Sequence, residues 1–398
     1  MVTCLSVMEY QHSRLIDPSE YMSDGLEGLC DGIPLREHND PIREDIGSIR
    51  AQEDWSRLVQ PLHHYKGGMA ARFNLMSIAV PECLPERLEI ICYANEFAFL
   101  HDDITDNVEQ KQGDIENDAM LEALREGAQN GAIQFKGSGK NQIQMQMLQE
   151  MMTIDRERAM TTTRAWAKFV QLAAGRQNDA TFANLEEYIP YRMLDIGEMF
   201  WFGIVTFGMA IAIPEEEMET CEQLMRPAWI ILGLQNDLFS WEKEYTSATR
   251  QGLSNVANAI WVLMKEHSID VDNAKELCRG IVKENVTKYQ HIVQVNKDNA
   301  CLSRDLRRYM KAMQYSLSGN AVWSLTCPRY HAKATFNRYQ LAMMEKGIAN
   351  ALKPCGEING IMIGGVSGKV DSIFPVSNVS DSRRELEDPS QQNGCGTE

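Results

Sequence analysis

An acidic cluster that directly follows an apolar segment constrains this chain more than any other feature. The segment 88–100 is mostly apolar, and Asp102, Asp103 and Asp106 come just after it. On a helix, Asp102 and Asp103 each lie about one turn from Asp106, so the three carboxylates can point towards one opening. Three like charges at this spacing repel one another unless a cation lies among them. The pattern predicts a metal-binding rim above an apolar chamber, and a solvated acidic helix end is the alternative.

A second polar stripe follows another apolar segment. Asn236, Ser240 and Glu244 recur every four residues after the apolar stretch 228–234, so on a helix they share one face. An amide oxygen, a hydroxyl and a carboxylate are hard oxygen donors that suit Mg²⁺, and Lys243 stands beside them to meet an anion. An ordinary polar helix face is the alternative. Two such rims on two apolar helices predict a site for several Mg²⁺ ions facing a pocket, and a prenyl diphosphate is a ligand that needs both metal and apolar surroundings.

Length, charge and cysteine usage narrow the class of protein. No interdomain break is evident before about residue 332 of the 398 residues, so one large all-α domain is the simplest interpretation. A net charge of −17 argues against a nucleic-acid partner, whereas a diphosphate remains possible because Mg²⁺ bridges acidic rims to anions. Ten scattered cysteines without metal-like spacing indicate a reducing, cytoplasmic environment. The sequence predicts neither a signal peptide nor a membrane span.

Helical periodicity extends over most of the chain between two less regular ends. Residues 1–45 mix proline, glycine and charge and predict an irregular arm, while 332–398 are glycine-rich and then charged and predict a flexible tail. Pro85 followed by Glu86 suits the first turn of the aspartate helix. Further helical patterns cover 44–59, 144–174, 226–245, 253–267, 271–295 and 302–318.

The two oxygen-rich motifs resemble the signature pair of class I terpene cyclases, Asp102-Asp103-x-x-Asp106 and Asn236-Asp237-x-x-Ser240-x-x-Lys243-Glu244. The stretches 52–55, 81–89 and 318–330 resemble the cyclase domains of fungal bifunctional terpene synthases, and the resemblance extends over about 10–330. It implies the all-α class I terpenoid synthase bundle around a central active-site cavity, with a cyclase domain over 1–331 and a flexible tail or linker over 332–398. In that family such a linker leads to a prenyltransferase domain, so either a longer parent chain or a single-domain enzyme is expected.

The resemblance also implies the roles of individual residues. Three Mg²⁺ ions are expected, with Asp102 the surest ligand. Arg192 would sense the diphosphate, and Asp195 would link it to a helix break at Ile196-Gly197, where a backbone carbonyl points at the substrate cation. The implied metal ligands are Asp102, Asp103, Asp106, Asn236, Ser240 and Glu244. The implied diphosphate-binding residues are Arg192, Lys243, Arg329 and Tyr330, and the implied pocket residues are Phe73, Phe99, Phe200, Trp201, Trp241, Asn320 and Trp323.

The implied activity is Mg²⁺-dependent ionisation and cyclisation of geranylgeranyl or geranylfarnesyl diphosphate to a polycyclic di- or sesterterpene, with release of diphosphate. A chain-elongating prenyl diphosphate synthase is one alternative, but such enzymes carry two aspartate-rich motifs and Asp102-Asp103 is the only adjacent aspartate pair here. A non-catalytic helical binding protein is the alternative from another class. A class II cyclase would need an Asp-x-Asp-Asp acid, which the sequence lacks. The substrate length, product skeleton and oligomeric state stay open at this point.

Overall fold

Helices make up most of the described structure and bury a common apolar core. The computed structural model describes residues 10–63, 65–105, 138–173 and 180–348, all within a unit that spans Met1–Leu352. A second unit, Lys353–Glu398, lies outside the described residues. The all-α bundle expected from the sequence is confirmed.

The described part of the chain contains eleven α-helices. They are α1 (Ile42–Leu58), α2 (Leu75–Ala79), α3 (Pro85–Thr105), α4 (Gly139–Ala173), α5 (Leu185–Asp195), α6 (Glu198–Gly208), α7 (Met218–Gln251), α8 (Ala259–His267), α9 (Val271–Asn296), α10 (Arg304–Thr326) and α11 (Arg338–Lys346). Short 3₁₀ turns cover Pro18–Glu20, Asp24–Leu26 and Glu215–Glu217.

Local signals explain several helix ends. Helix α3 begins at Pro85, as the sequence predicts, with Glu86 in its first turn. Helix α7 ends at Gly252, whose φ of 69° is a left-handed conformation that glycine adopts without steric cost. Side-chain caps accept backbone N–H groups at the starts of α5, α8, α9, α10 and α11, where the capping residues are Asn184, Asn258, Asp270, Ser303 and Asn337.

The two helices with the oxygen-rich motifs lie inside the bundle. Helix α3 packs against α1 and also contacts α6, while α7 packs against α9 and α10. Helix α10 also packs closely on α2, where a Cβ at Gly319 would come within 2.6 Å of the Ala79 backbone nitrogen. Glycine is therefore required at this crossing. The apolar faces of α3 and α7 are buried, and the two helices are linked by Asp103 of α3, which lies 3.1 Å from Lys243 of α7.

The N-terminal arm is more regular than expected. Residues Ser13–Leu15 form β1 and Arg36–His38 form β2, paired antiparallel with Ser13 opposite His38. Three-residue strands are too short to produce a readable alternation of polar and apolar residues. The buried carboxylate of Glu82 holds the start of the arm, because it accepts the N–H groups of Gln11 at 3.0 Å and His12 at 3.2 Å.

The bundle also extends further along the chain than expected. The prediction of a flexible tail from residue 332 places its start too early, because residues 338–346 form α11 on the surface of α1. Met343 is 1% exposed and packs with Ile49 and Met69 in a small apolar cluster separate from the main core. The glycine-rich part of the predicted tail lies outside the described residues.

Two general observations concern the described part of the chain. None of its helices combines the length and the apolar character that crossing a membrane requires. Its cysteines are free thiols, and all of them except Cys301 are buried.

Candidate active site

The acidic rim at the end of α3 faces two basic side chains. Asp103 forms a bidentate ion pair with Arg329, at 2.9 and 2.8 Å, and its Oδ1 also lies 3.1 Å from Lys243 Nζ. The Asp102 carboxylate is 60% exposed and lies 3.6 Å from the Arg329 guanidinium. Asp106, the third predicted ligand of this rim, lies outside the described residues.

The two adjacent aspartates have different electrostatic environments. Burial favours the neutral form of Asp103, but Arg329 and Lys243 outweigh it and lower the pKa of this carboxyl. The pKa of Asp102 is raised, because desolvation by the surrounding protein and the charges of Asp103 and Asp195 together outweigh the opposing charges of Arg329 and Lys243. Asp103 is therefore a firmly ionised partner of two cations. Of these two carboxylates, Asp102 is the one whose ionised form an additional cation would stabilise more.

The predicted stripe on α7 is present, and two of its members are held by hydrogen bonds. Asn236 accepts from Arg192 through Oδ1 at 2.5 Å and donates to the Tyr330 hydroxyl at 2.7 Å. Glu244 Oε2 accepts from Asn258 Nδ2 at 2.9 Å. Between them, the Ser240 side chain is 2% exposed, and its hydroxyl has no hydrogen-bond partner in the described structure.

Arg192 connects this stripe to a break between α5 and α6. Its guanidinium pairs with Asp195 and also lies 2.8 Å from Asp237 Oδ1. Gly197 follows the end of α5 with a φ of 83°, so the predicted helix break is present. The Gly197 carbonyl accepts from Trp201 N–H at 2.9 Å and is therefore part of α6.

Aromatic rings form a wall beside the rim of α3. Phe99 and Trp323 stack with ring centroids 5.9 Å apart and an angle of 12° between their planes. The Arg329 guanidinium lies 4.6 Å from the Phe99 centroid, and the Tyr330 ring packs edge-on against Trp323 at 5.5 Å. The cationic and aromatic candidates therefore meet at one place.

The other predicted pocket residues make contacts away from this wall. The Phe73 ring is covered by Arg72, and Trp241 stacks on Tyr245 at 5.1 Å, beside Trp261 of α8. Further contacts are those of Phe200 with Trp166 at 5.2 Å, of Trp201 Nε1 with Ser316 Oγ at 3.0 Å, and of Asn320 Nδ2 with Gln235 Oε1 at 2.8 Å.

Buried residues that the sequence interpretation assigned no role hold the α7 rim in place. Asp237 is fully buried, and its Oδ2 accepts from the Tyr188 hydroxyl at 2.7 Å and from the Ala259 N–H at 2.9 Å. Burial raises the pKa of Asp237 to about 7, against the opposing charge of Arg192. Asn258 donates to the Asp237 carbonyl at 3.1 Å as well as to Glu244. The spacing of Tyr188 and Arg192, one helical turn, is the signal that could have revealed this network.

A comparable support lies beneath the rim of α3. The fully buried Glu96 accepts from the Gly68 N–H at 2.8 Å and from Gln52 Nε2 at 2.7 Å. The Gly68 carbonyl in turn accepts from Trp323 Nε1 at 2.7 Å. Glu96 therefore ties the connector between α1 and α2 to the aromatic wall. The pattern 96, 99, 103 on one helix face was the available signal.

The donor atoms fit a divalent cation that prefers oxygen. The α7 stripe supplies an amide oxygen, a hydroxyl and a carboxylate, which are typical Mg²⁺ ligands, and the buried hydroxyl of Ser240 has an unused lone pair. No group of three or more His, Cys, Asp or Glu within the described ranges is arranged to hold a metal alone.

Comparison of the sequence with known proteins shows which family it matches. Residues 93–288 match the family model described as terpene synthase family 2, C-terminal metal binding. The chain is 49% identical over 354 residues to fusicoccadiene synthase of Phomopsis amygdali, covering 87% of this chain and 49% of the relative. It is 44% identical over 340 residues to ophiobolin F synthase of Cochliobolus heterostrophus, covering 85% and 46%. The chain thus spans about half the length of the curated relatives it matches.

Solved structures support the same fold. Aristolochene synthase from Penicillium roqueforti superposes with a TM-score of 0.58 at 19% identity, covering 72% of this chain and 95% of that one. At this identity the likeness concerns the fold alone. The expected class I terpene synthase architecture is confirmed.

Proposed function

The chain belongs to the terpene synthase family, and on that premise we propose that it ionises a long prenyl diphosphate with Mg²⁺ and cyclises the resulting cation. The observation that carries the proposal is the Asn236 side chain, which hydrogen-bonds both Arg192 and Tyr330. It lies one turn from the Ser240 hydroxyl, which has no hydrogen-bond partner among the described residues. These are an anion-binding guanidinium, a phenol and two metal-type oxygen donors within one network.

The basic residues of the site are the candidates for binding the diphosphate. Arg329 and Lys243 are now paired with Asp103, and Arg192 with Asp195 and Asp237. Arginine presents a planar fork that suits phosphate oxygens. We propose that these guanidinium groups and the Tyr330 hydroxyl hydrogen-bond the diphosphate as negative charge develops on it, because preorganised donors stabilise the leaving group.

The metal would be held by side-chain oxygens from both rims. The candidates are Asp102, Asn236, Ser240 and Glu244, and further candidates are Asp103 and Asp106. Bound Mg²⁺, expected as three ions, would neutralise the diphosphate and so favour its departure. The chain's own contribution is to hold these oxygens on two facing helices. Asn258 fixes the position of the Glu244 carboxylate, because its amide donates both to Glu244 and to the Asp237 carbonyl.

The allyl cation left behind needs an apolar, dry environment. We propose that Phe99 and Trp323 contribute π-faces that stabilise it without forming a covalent bond. The other predicted pocket residues are weaker candidates, because their described contacts are with neighbouring side chains of the bundle. They are Phe73, Phe200, Trp201, Trp241 and Asn320. Exclusion of water from the chamber delays quenching of the cation.

The relatives suggest the substrate class and a partner. Several relatives are named diterpene or sesterterpene synthases, and some of these names include the word bifunctional, which supports geranylgeranyl or geranylfarnesyl diphosphate as substrate. Because this chain matches only about half of each relative, we propose that its substrate is made by a prenyltransferase activity outside residues 1–331.

The test is an assay of the purified chain with farnesyl, geranylgeranyl and geranylfarnesyl diphosphate, each with and without Mg²⁺, analysed by gas chromatography and mass spectrometry. A cyclic hydrocarbon from one of the two longer substrates, formed only with Mg²⁺, is the expected result. Longer linear diphosphates formed only when isopentenyl diphosphate is added would identify a chain-elongating synthase instead. Absence of any turnover by a folded chain would favour a binding protein.

A further inference from the structure

The segment that carries Arg329 and Tyr330 is not part of a helix. Helix α10 ends at Thr326, and the next helix, α11, begins at Arg338. At its upstream end the segment is turned by hydrogen bonds from the N–H groups of Tyr330 and His331 to the Cys327 carbonyl, at 3.3 and 3.1 Å. A loop in this position needs a second fixed point if its side chains are to be held accurately.

The second fixed point is the buried amide of Gln340 in α11. Gln340 is 0% exposed, and its Nε2 donates to Asp45 Oδ1 at 2.7 Å and to the Ala70 carbonyl at 2.9 Å. Its Oε1 accepts from the Asn337 N–H at 2.9 Å and completes the cap of α11. One amide thus fastens α11 both to α1 and to the connector before α2.

Weaker contacts continue along the same path. Lys66 Nζ lies 3.4 Å from the Ala332 carbonyl, and Asn337 Nδ2 donates to the Ala71 carbonyl at 3.1 Å. The connector itself is held at Gly68 by Glu96 and Trp323. Residues 331–337 therefore run beside a fixed strip of backbone and end at the Gln340 anchor.

We propose that Gln340 is a positioning residue, which acts through the segment 327–337 to hold Arg329 and Tyr330 at the mouth of the site. The apolar contacts of α11 belong to the small cluster of Ile49, Met69 and Met343, which is separate from the main core. Loss of the anchor therefore loosens this segment while the bundle remains folded. The proposal's catalytic consequence rests on the proposed function, whereas its structural consequence does not.

The first test is hydrogen exchange on the full chain, comparing the wild type with Gln340→Ala. Exchange of the Tyr330, His331 and Ala334 amides should accelerate at least about tenfold, because a lost anchor lets this segment open locally. Amides in α3 and α7 should keep their protection. Unchanged protection at these amides, or faster exchange throughout the chain, would overturn the proposal. This result is independent of whether the chain turns over any prenyl diphosphate.

The second test uses turnover and a matched control on the same helix. Gln340→Ala should lower kcat/KM by about tenfold, the scale of supporting residues around ligand sites. Leu341→Ala removes an exposed side chain next to it, and we expect wild-type turnover. If Gln340 acts through Tyr330, its effect should shrink in a Tyr330→Phe background, because residues that act through one another are non-additive. Additive effects would contradict the positioning of Tyr330 by Gln340.

Discussion

On α3 the two described carboxylates of the rim are held by ion pairs, whereas on α7 the rim is held by hydrogen bonds on either side of the buried Ser240. Asp103 is clamped by Arg329 and Lys243 from other parts of the fold, while Asn236 and Glu244 are braced by neighbours that surround them. The ion pairs of the α3 rim share the Arg329 guanidinium, which is only 5% exposed, so an anion that binds there has to compete with Asp102 and Asp103 for it. The α7 rim is preorganised before any ligand binds.

One buried carboxylate supports each rim through hydrogen bonds or an ion pair, and the two carboxylates have different partners. Glu96 beneath α3 holds backbone and an amide side chain, and Asp237 within α7 holds the guanidinium of Arg192. The α3 support therefore fixes the shape of the wall. The α7 support fixes a charge that is proposed to bind the diphosphate. The comparison predicts graded consequences for substitutions in the two regions.

The largest effect is expected where a rim loses its main oxygen donor. Asn236→Ala and Asp102→Ala should each abolish cyclisation, with at least about a 10³-fold loss of kcat, because leaving-group stabilisation is removed. Circular dichroism and thermal unfolding should show a folded chain in both cases. Wild-type turnover by either variant would show that its rim does not bind metal.

The next largest effect is expected at Ser240, where metal binding and the stability of the fold can be measured separately. Ser240→Ala should lower activity by about 10- to 100-fold at limiting Mg²⁺. It should change the free energy of unfolding by less than about 1 kcal/mol, because the hydroxyl makes no hydrogen bond within the described part of the chain.

Ser324 is the matched control for this substitution. Its hydroxyl is also buried and unpartnered in the described structure, but it lies on α10 outside the stripe. Ser324→Ala should leave the Mg²⁺ dependence unchanged. Equal effects of the two substitutions on activity would argue against metal binding by Ser240.

A smaller effect is expected from the support of Arg192. Tyr188→Phe removes one of the donors to Asp237 and should lower kcat/KM by about tenfold, since positioning of a charged group is impaired. Tyr289→Phe is the control, because that hydroxyl is equally buried and donates to the Met310 carbonyl at 2.8 Å elsewhere in the core. A loss of stability without a loss of activity is expected for the control, and the same outcome for Tyr188→Phe would contradict its assigned role.

The smallest effect on catalysis is expected at Glu96, where the readout is stability against pH. Burial raises the pKa of Glu96 from 4.5 to about 7, so the folded chain binds this proton more tightly than the unfolded chain. Its contribution to stability is present below about pH 4.5 and is lost as the pH rises through 7, by about 3 kcal/mol.

Glu96→Gln removes this titration, and Gln52 can rotate its amide to accept from the new side chain. The unfolding free energy of the wild type should therefore fall relative to that of the variant between pH 5 and pH 8. Urea unfolding at the two pH values measures the difference. If the difference in unfolding free energy between the wild type and the variant were the same at both pH values, Glu96 would not be the source of the pH dependence.

The sequence reveals the rims because helical spacing places Asn236, Ser240 and Glu244 on one face whatever surrounds the helix. The pairing of Asp103 with Arg329 could not be read in the same way, because 226 residues separate the two and only the packed fold brings them together. The anchor at Gln340 was missed for a related reason. A glutamine becomes informative only when its burial against Asp45 is known.

Titration of inorganic pyrophosphate into the full chain by calorimetry tests the central claim that two rims share one metal–diphosphate site. Binding should require Mg²⁺ in the wild type and should be lost in both Asp102→Ala and Asn236→Ala. Mg²⁺-independent binding, or binding that either variant retains at wild-type affinity, would contradict a shared site.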